Sequence, residues 1–115
     1  MDGRIFRVTV LLSENPQQGW TIREMATIAG VSTSYFQRLF RTETGITPIA
    51  YLREARLRRA RELLETTFLL VKEIGMKTGM ADESHFTRNF GARYGLTPTD
   101  YRRSYWDDMQ TITSK

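Results

Sequence analysis

The feature that most constrains this chain is an internal repeat. Residues 30–48 read GVSTSYFQRLFRTETGITP, and fifty residues later Ser34, Phe36, Arg38, Phe40, Gly45, Thr47, Pro48 and Tyr51 recur as Ser84, Phe86, Arg88, Phe90, Gly95, Thr97, Pro98 and Tyr101. Upstream the match continues at an offset of forty-nine, pairing Glu24 with Glu73, Met25 with Ile74 and Gly30 with Gly79. The second copy therefore has one extra residue between its glycine and its phenylalanine. Such periodicity means one supersecondary unit built twice. The chain has 115 residues, so each copy has about 50, a length at which a lone core is marginal. The copies must then share contacts or a rigid connector.

Local signals place the elements, and all of them are helical. Residues 4–14 carry Ile5, Val8, Leu11 and Leu12 at helical spacing, with Arg4 and Arg7 outside. A turn follows at residues 15–19. Thr21 and Glu24 form a capping-box pattern flanked by Trp20 and Met25, and the helix they open stops at Gly30. Ser32 caps a helix over 33–44 that ends at Gly45. Thr47 and Pro48 start a long helix running to Thr66, with Tyr51, Leu52, Ala55, Ala60, Leu63 and Leu64 on its buried side. The second copy repeats the plan with a short helix over 71–78, a helix over 83–94 capped by Asp82, and a last short helix from Pro98 through Arg103. Leu70 stands where a cap is expected, and Gly75 inside the short helix reads as the close approach of a crossing helix. The expected division is a first unit over 4–47, a connecting helix over 48–66, a second unit over 67–106 and a frayed tail over 107–115.

On a helical wheel, Phe36, Leu39, Phe40 and Glu43 share one side, whereas Ser34, Gln37, Arg38 and Arg41 share the other. In the second copy Phe86, Asn89, Phe90 and Arg93 face or border the core, and Ser84, Thr87, Arg88 and Gly91 face out. A short helix, a glycine turn and a second helix with a polar outer face is the plan of a helix-turn-helix, whose second helix enters the DNA major groove. A solvated helical hairpin has no need to repeat its outward residues, yet Ser34/Ser84 and Arg38/Arg88 repeat. The connecting helix is roughly 28 Å long. Successive major-groove faces on one side of B-DNA lie about 34 Å apart, so one chain could carry two reading heads on a site that need not be palindromic.

Composition agrees. There are 17 Lys+Arg against 13 Asp+Glu, a formal charge of +4, and fourteen of the cations are Arg, whose planar fork suits phosphates and guanine edges. The absence of Cys excludes disulfides and thiolate chemistry in this chain, and the lone His85 makes no metal site. No Gly-rich phosphate loop or convergent carboxylate pair points to an enzyme. Apolar runs such as 68–71 are too short to span a bilayer.

The second copy resembles a known signature. Gly79, Ser84, Phe86, Arg88, Phe90, Gly95, Thr97, Pro98, Tyr101 and Arg102, with Asp82 and Ile74, look like the motif of AraC/XylS-type transcription regulators. The resemblance covers about residues 4–104. It implies an all-α domain of about seven helices, two helix-turn-helix units joined by a long helix, that binds double-stranded DNA sequence-specifically without a cofactor or metal. By position it implies DNA contacts at Ser34, Gln37 and Arg38 in the first reading helix and at Glu83, Ser84, Thr87 and Arg88 in the second, and Arg41, on the same outer face as Arg38, reads as a phosphate contact. Arg23 and Lys72, at matching places on the short helices, are candidate phosphate contacts. The resemblance further implies RNA polymerase as a partner, a cytoplasmic, nucleoid-associated location, and a small-molecule effector acting only through a further domain. Relatives that repair alkylated DNA do so at Cys, which this chain lacks. Met80 departs from the aromatic residue usual after the glycine, and Gly91 from the usual Lys or Arg. The competing reading is a helical protein-interaction or non-specific architectural module.

Overall fold

The computed structural model describes residues 1–113. It contains seven helices and, among the described residues, no strand: α1 (Gly3–Glu14), α2 (Ile22–Ala29), α3 (Thr33–Thr44), α4 (Pro48–Thr66), α5 (Val71–Lys77), α6 (Glu83–Tyr94) and α7 (Pro98–Thr113). The chain divides into two compact units, Met1–Arg56 and Leu57–Lys115. The division falls inside α4, so each unit takes part of that helix rather than leaving it as a separate connector.

The first unit packs α1, α2, α3 and the start of α4 around Ile5, Val8, Leu12, Met25, Ala26, Ala29, Phe36, Phe40 and Leu52. Two phenylalanines one turn apart on α3 anchor it, because residues i and i+4 share a helix face. The Phe36 and Phe40 rings lie 5.6 Å apart, and Tyr51 of α4 meets Phe40 edge-on at 5.6 Å. The second unit rebuilds this with Leu57, Ala60, Leu63, Leu64, Ile74, Phe86 and Phe90. Its rings repeat the arrangement: Phe86 and Phe90 at 5.9 Å, and Phe90 and Tyr101 edge-on at 5.5 Å. Such edge-to-face pairs place the positive ring edge on the negative face of its neighbour. Leu57 is a core residue that the sequence reading of the long helix omitted.

The glycine turns repeat as well. Gly30 (φ 74°) and Gly79 (φ 85°) take the left-handed conformation that L side chains avoid. After each, two backbone bonds close the helix end: Gly30 N–H to Thr27 O and Val31 N–H to Ala26 O in one unit, Gly79 N–H to Met76 O and Met80 N–H to Gly75 O in the other. The second turn is drawn tighter, 2.7 Å against 3.1 Å for the longer-range bond. A Cβ on Gly75 would lie 2.6 Å from the Met80 carbonyl oxygen and 3.3 Å from Phe86. The close approach expected at Gly75 is thus made mainly by the backbone of its own turn, and only secondarily by the crossing helix.

Two expectations change at the chain's ends, and the one at the second unit's cap holds. The first helix begins at Gly3 because Asp2 caps it, its carboxylate accepting from Arg4 N–H at 2.8 Å. Leu70 has no acceptor for the α5 cap, but Glu73 Oε1 still accepts from Leu70 N–H at 3.0 Å, so half of the reciprocal pattern survives. The last helix is not short, and 107–113 is not frayed: α7 reaches Thr113. Tyr101 and Tyr105, one turn apart, stack at 6.4 Å, and Trp106 stacks on Phe68 at 5.9 Å, giving the helix contacts beyond Arg103. Residues 114–115 of the expected tail lie outside the described residues.

Two arginines brace the loops that enter the short helices. Arg56 of α4 donates to Pro16 O and Gln18 O, each at 2.8 Å, below α2. Arg102 of α7 donates to Leu64 O (3.1 Å), Thr67 O (3.1 Å) and Leu69 O (2.6 Å), below α5. Burial lowers the proton affinity of both guanidinium groups.

Candidate nucleic-acid interface

In the first unit α2 is fixed by its cap. Thr21 Oγ1 accepts from Glu24 N–H at 3.1 Å, Met25 is buried, and the Trp20 indole donates to Asn15 O at 2.8 Å. Ser32 caps α3 by accepting from Tyr35 N–H at 3.2 Å. With Phe36 and Phe40 buried, the opposite face of α3 is set by helical geometry. Ser34, Gln37, Arg38 and Arg41 are all exposed on it, as expected.

Gln37, Arg38 and Arg41 also line a cleft of about 450 Å³ together with Ile22, Thr47, Pro48 and Ile49. Two guanidinium groups and a carboxamide thus share the cleft with an apolar wall of Ile22, Pro48 and Ile49. Chemically, Arg can donate a fork to guanine O6 and N7, Gln can pair with adenine, and an isoleucine can meet a thymine methyl. The apolar wall was absent from the sequence reading, because Ile22 and Ile49 come from the starts of α2 and α4 and only folding brings them beside α3.

The flank of α3 holds a further group that the sequence reading missed. The guanidinium carbons of Arg38 and of Arg4, from α1, each lie 5.9 Å from the centre of the Tyr35 ring. Arg4 is itself paired with Asp2, Nη2 to Oδ2 at 2.9 Å and Nε to Oδ1 at 3.2 Å. The side-chain and backbone bonds from Arg4 hold the Asp2 carboxyl down at about 2, and the same pair raises the proton affinity of Arg4. The signal available in the sequence was only Arg4 outside the core stripe of the first helix.

In the second unit Asp82 caps α6, accepting from His85 N–H at 3.0 Å. Glu83, Ser84 and Arg88 are exposed, while Thr87 is half-buried and so offers less of itself than the sequence reading implied. His85, at the place of Tyr35, is exposed. Neither Asp82 nor Glu83 forms an ion pair with Arg88 among the described residues, so that cation is free to meet an external anion. Arg93, expected to border the core, is exposed, with its guanidinium 4.9 Å from the Tyr94 ring. At Gly91 a Cβ would meet only Leu96 O, at an ordinary 3.9 Å. Packing therefore does not demand a glycine where the first unit has Arg41. Arg23 on α2 and Lys72 on α5 are exposed and make no ion pair among the described residues.

No group of three or more potential metal ligands and no helix long and apolar enough to cross a membrane occurs among the described residues.

Comparison with known proteins agrees with this geometry. A family model described as a helix-turn-helix domain matches residues 25–104. The transposon Tn10 TetD protein of Escherichia coli is 35% identical over 117 residues, covering 96% of this chain and 85% of that protein. The transcriptional activator RclR of Escherichia coli is 36% identical over 99 residues, 86% of this chain and 35% of the relative. The virulence regulon transcriptional activator VirF of Yersinia enterocolitica is 33% identical over 96 residues, 84% of this chain and again 35% of the relative. The chain thus spans only 35% of the length of RclR and of VirF. Among solved structures, the DNA-binding domain of the transcriptional factor AdpA, determined with a target DNA, superposes with a TM-score of 0.84 at 28% identity, covering 88% of this chain and 91% of that one. The chain belongs to the AraC/XylS-type family of helix-turn-helix transcription regulators.

Proposed function

We propose that this chain binds double-stranded DNA sequence-specifically, placing α3 and α6 in successive major grooves of one non-palindromic site. The observation that carries the proposal is the repeated outer face: Ser34 with Ser84, and Arg38 with Arg88, all exposed opposite buried phenylalanines. The likeness to a domain solved with its target DNA supports it.

In this reading Gln37, Arg38 and Arg88 read base edges, Ser34, Ser84 and Thr87 contribute hydroxyl contacts, and Glu83 accepts from a cytosine amino group. Arg41, Arg23 and Lys72 neutralise phosphates, which adds affinity without sequence information. Bound to a promoter, such a domain works in the cytoplasm, on the nucleoid, beside RNA polymerase. Relatives named as transcriptional activators support that part.

The test is footprinting and competition at a stated salt concentration, since phosphate contacts make affinity steeply salt-dependent. Arg38→Ala and Arg88→Ala should each relax preference at a different base pair, by about 1–3 kcal/mol. Loss of affinity that is uniform across sequences for both variants would reduce the two residues to backbone contacts. Pull-down of RNA polymerase on a bound promoter fragment, absent on the fragment alone, checks the partner.

A further inference from the structure

The first reading helix carries an aromatic residue that the core does not use. Phe36, Phe40 and Tyr51 supply the ring contacts of that unit, whereas Tyr35 stands on the flank of α3, 41% exposed. Its neighbours are two guanidinium groups: Arg38, one turn on along α3, and Arg4 from α1, each 5.9 Å from the ring centre. Arg4 is in turn held by both carboxylate oxygens of Asp2. Asp2 is tied to α3 a second time, because its backbone N–H donates to Glu43 Oε1 at 3.1 Å. A chain of contacts therefore runs from Glu43 through Asp2, Arg4 and Tyr35 to Arg38, along one flank of one helix.

We propose that Tyr35 is a positioning residue for Arg38, and that Asp2 and Arg4 hold the ring in place, so the start of α1 tunes base discrimination by α3. The inference rests on the reading of α3 as a recognition helix. An arginine above a ring uses its flat face for the cation–π contact and leaves its in-plane N–H fork free. That fork is what guanine O6 and N7 accept. A side chain held this way has fewer rotamers to lose when DNA arrives, and pre-organisation of this kind adds to affinity for the matching base. The second unit lacks the device. His85 stands in place of Tyr35, and Arg88 has no ring or carboxylate partner among the described residues.

The experiment measures relative affinity for every base at each position of a bound site, using the full chain. Arg38→Ala identifies the base pair that Arg38 reads. Tyr35→Ala is then expected to lower discrimination at that pair by about three- to tenfold. Tyr35→Phe, which keeps the ring, should retain most of it. In an Arg38→Ala background, Tyr35→Ala should cost nothing further at that pair. Tyr35 is on the surface, so an unchanged circular dichroism melt separates these effects from unfolding. If Tyr35→Ala weakens all sequences equally, or costs as much without Arg38 as with it, the positioning role is wrong. If Arg38→Ala itself shifts no base preference, the recognition-helix reading fails and takes this inference with it. If Arg38→Ala shifts preference and Tyr35→Ala does not, the inference alone fails.

Discussion

Asp2 shows how one side chain can serve two structural ends. It caps α1 and fixes Arg4, and those bonds depress its carboxyl from 3.8 to about 2. A depressed carboxyl contributes stability above its unfolded value and loses it as the acid form takes over. The contribution should therefore be complete above about pH 4 and fade as the pH falls toward about 2. Asn caps a helix as well as Asp does, so Asp2→Asn keeps the cap but removes the charge and one of the two oxygens that hold Arg4. Thermal melts of the variant should show a shallower acid decline than the parent over that window. Tyr101 behaves in the opposite sense. Burial first, and then its hydrogen bond to Glu65, push the phenol up to about 12. Its raised value means stability is complete below about pH 10 and lost as the pH climbs toward about 12, a loss that Tyr101→Phe should blunt. Gly75 is fixed by sterics: its neighbour is the Met80 carbonyl, which cannot swing away as a side chain can. Gly75→Ala should destabilise the second unit by about 1–3 kcal/mol in chemical denaturation.

Capping separates the two short helices, and the residue types alone make it legible. Thr21 and Ser32 behave as their positions and hydroxyls require, and the helix stops at Gly30, Gly45, Gly79 and Gly95 fall where left-handed φ values are observed. Turn chemistry is local, so the sequence carries it. Contacts assembled from distant segments are less legible. Arg56 reads as one charge of the long helix and Arg102 as a residue of the family motif, yet Arg56 donates to a loop carbonyl 38 residues away and Arg102 to the loop carbonyls of Thr67 and Leu69, 35 and 33 residues away. Along the extended α7, Trp106 meets Phe68, a partner no periodicity reveals. The apolar wall of the cleft at Ile22 and Ile49 is hidden for the same reason. Arg102→Ala should cost the second unit about 2–3 kcal/mol, since charge-assisted bonds to three carbonyls vanish together. Leu70, 66% exposed and extended at ψ 150°, already has cap geometry without an acceptor. Leu70→Ser should stabilise α5 by about 0.5–1 kcal/mol, read as a shift in melting temperature.

The two units share a plan and differ in charge. The outward face of α3 carries Arg38 and Arg41, while that of α6 carries Arg88 and, at the second place, Gly91. The first head should therefore contribute more affinity, and Arg38→Ala should weaken binding more than Arg88→Ala. Because the backbone at Gly91 has room for a side chain, Gly91→Lys should strengthen binding and steepen the salt slope by about 0.9. It should also raise stability by up to about 1 kcal/mol through helix propensity. Selection of binding sites from random duplexes by the purified chain bears most directly on the claim that both heads read DNA. The expected outcome is one asymmetric motif of two unlike half-sites, centred about 10 base pairs apart, with Arg38→Ala blurring one half and Arg88→Ala the other. Enrichment of no motif, or of a single half-site indifferent to Arg88→Ala, would contradict it.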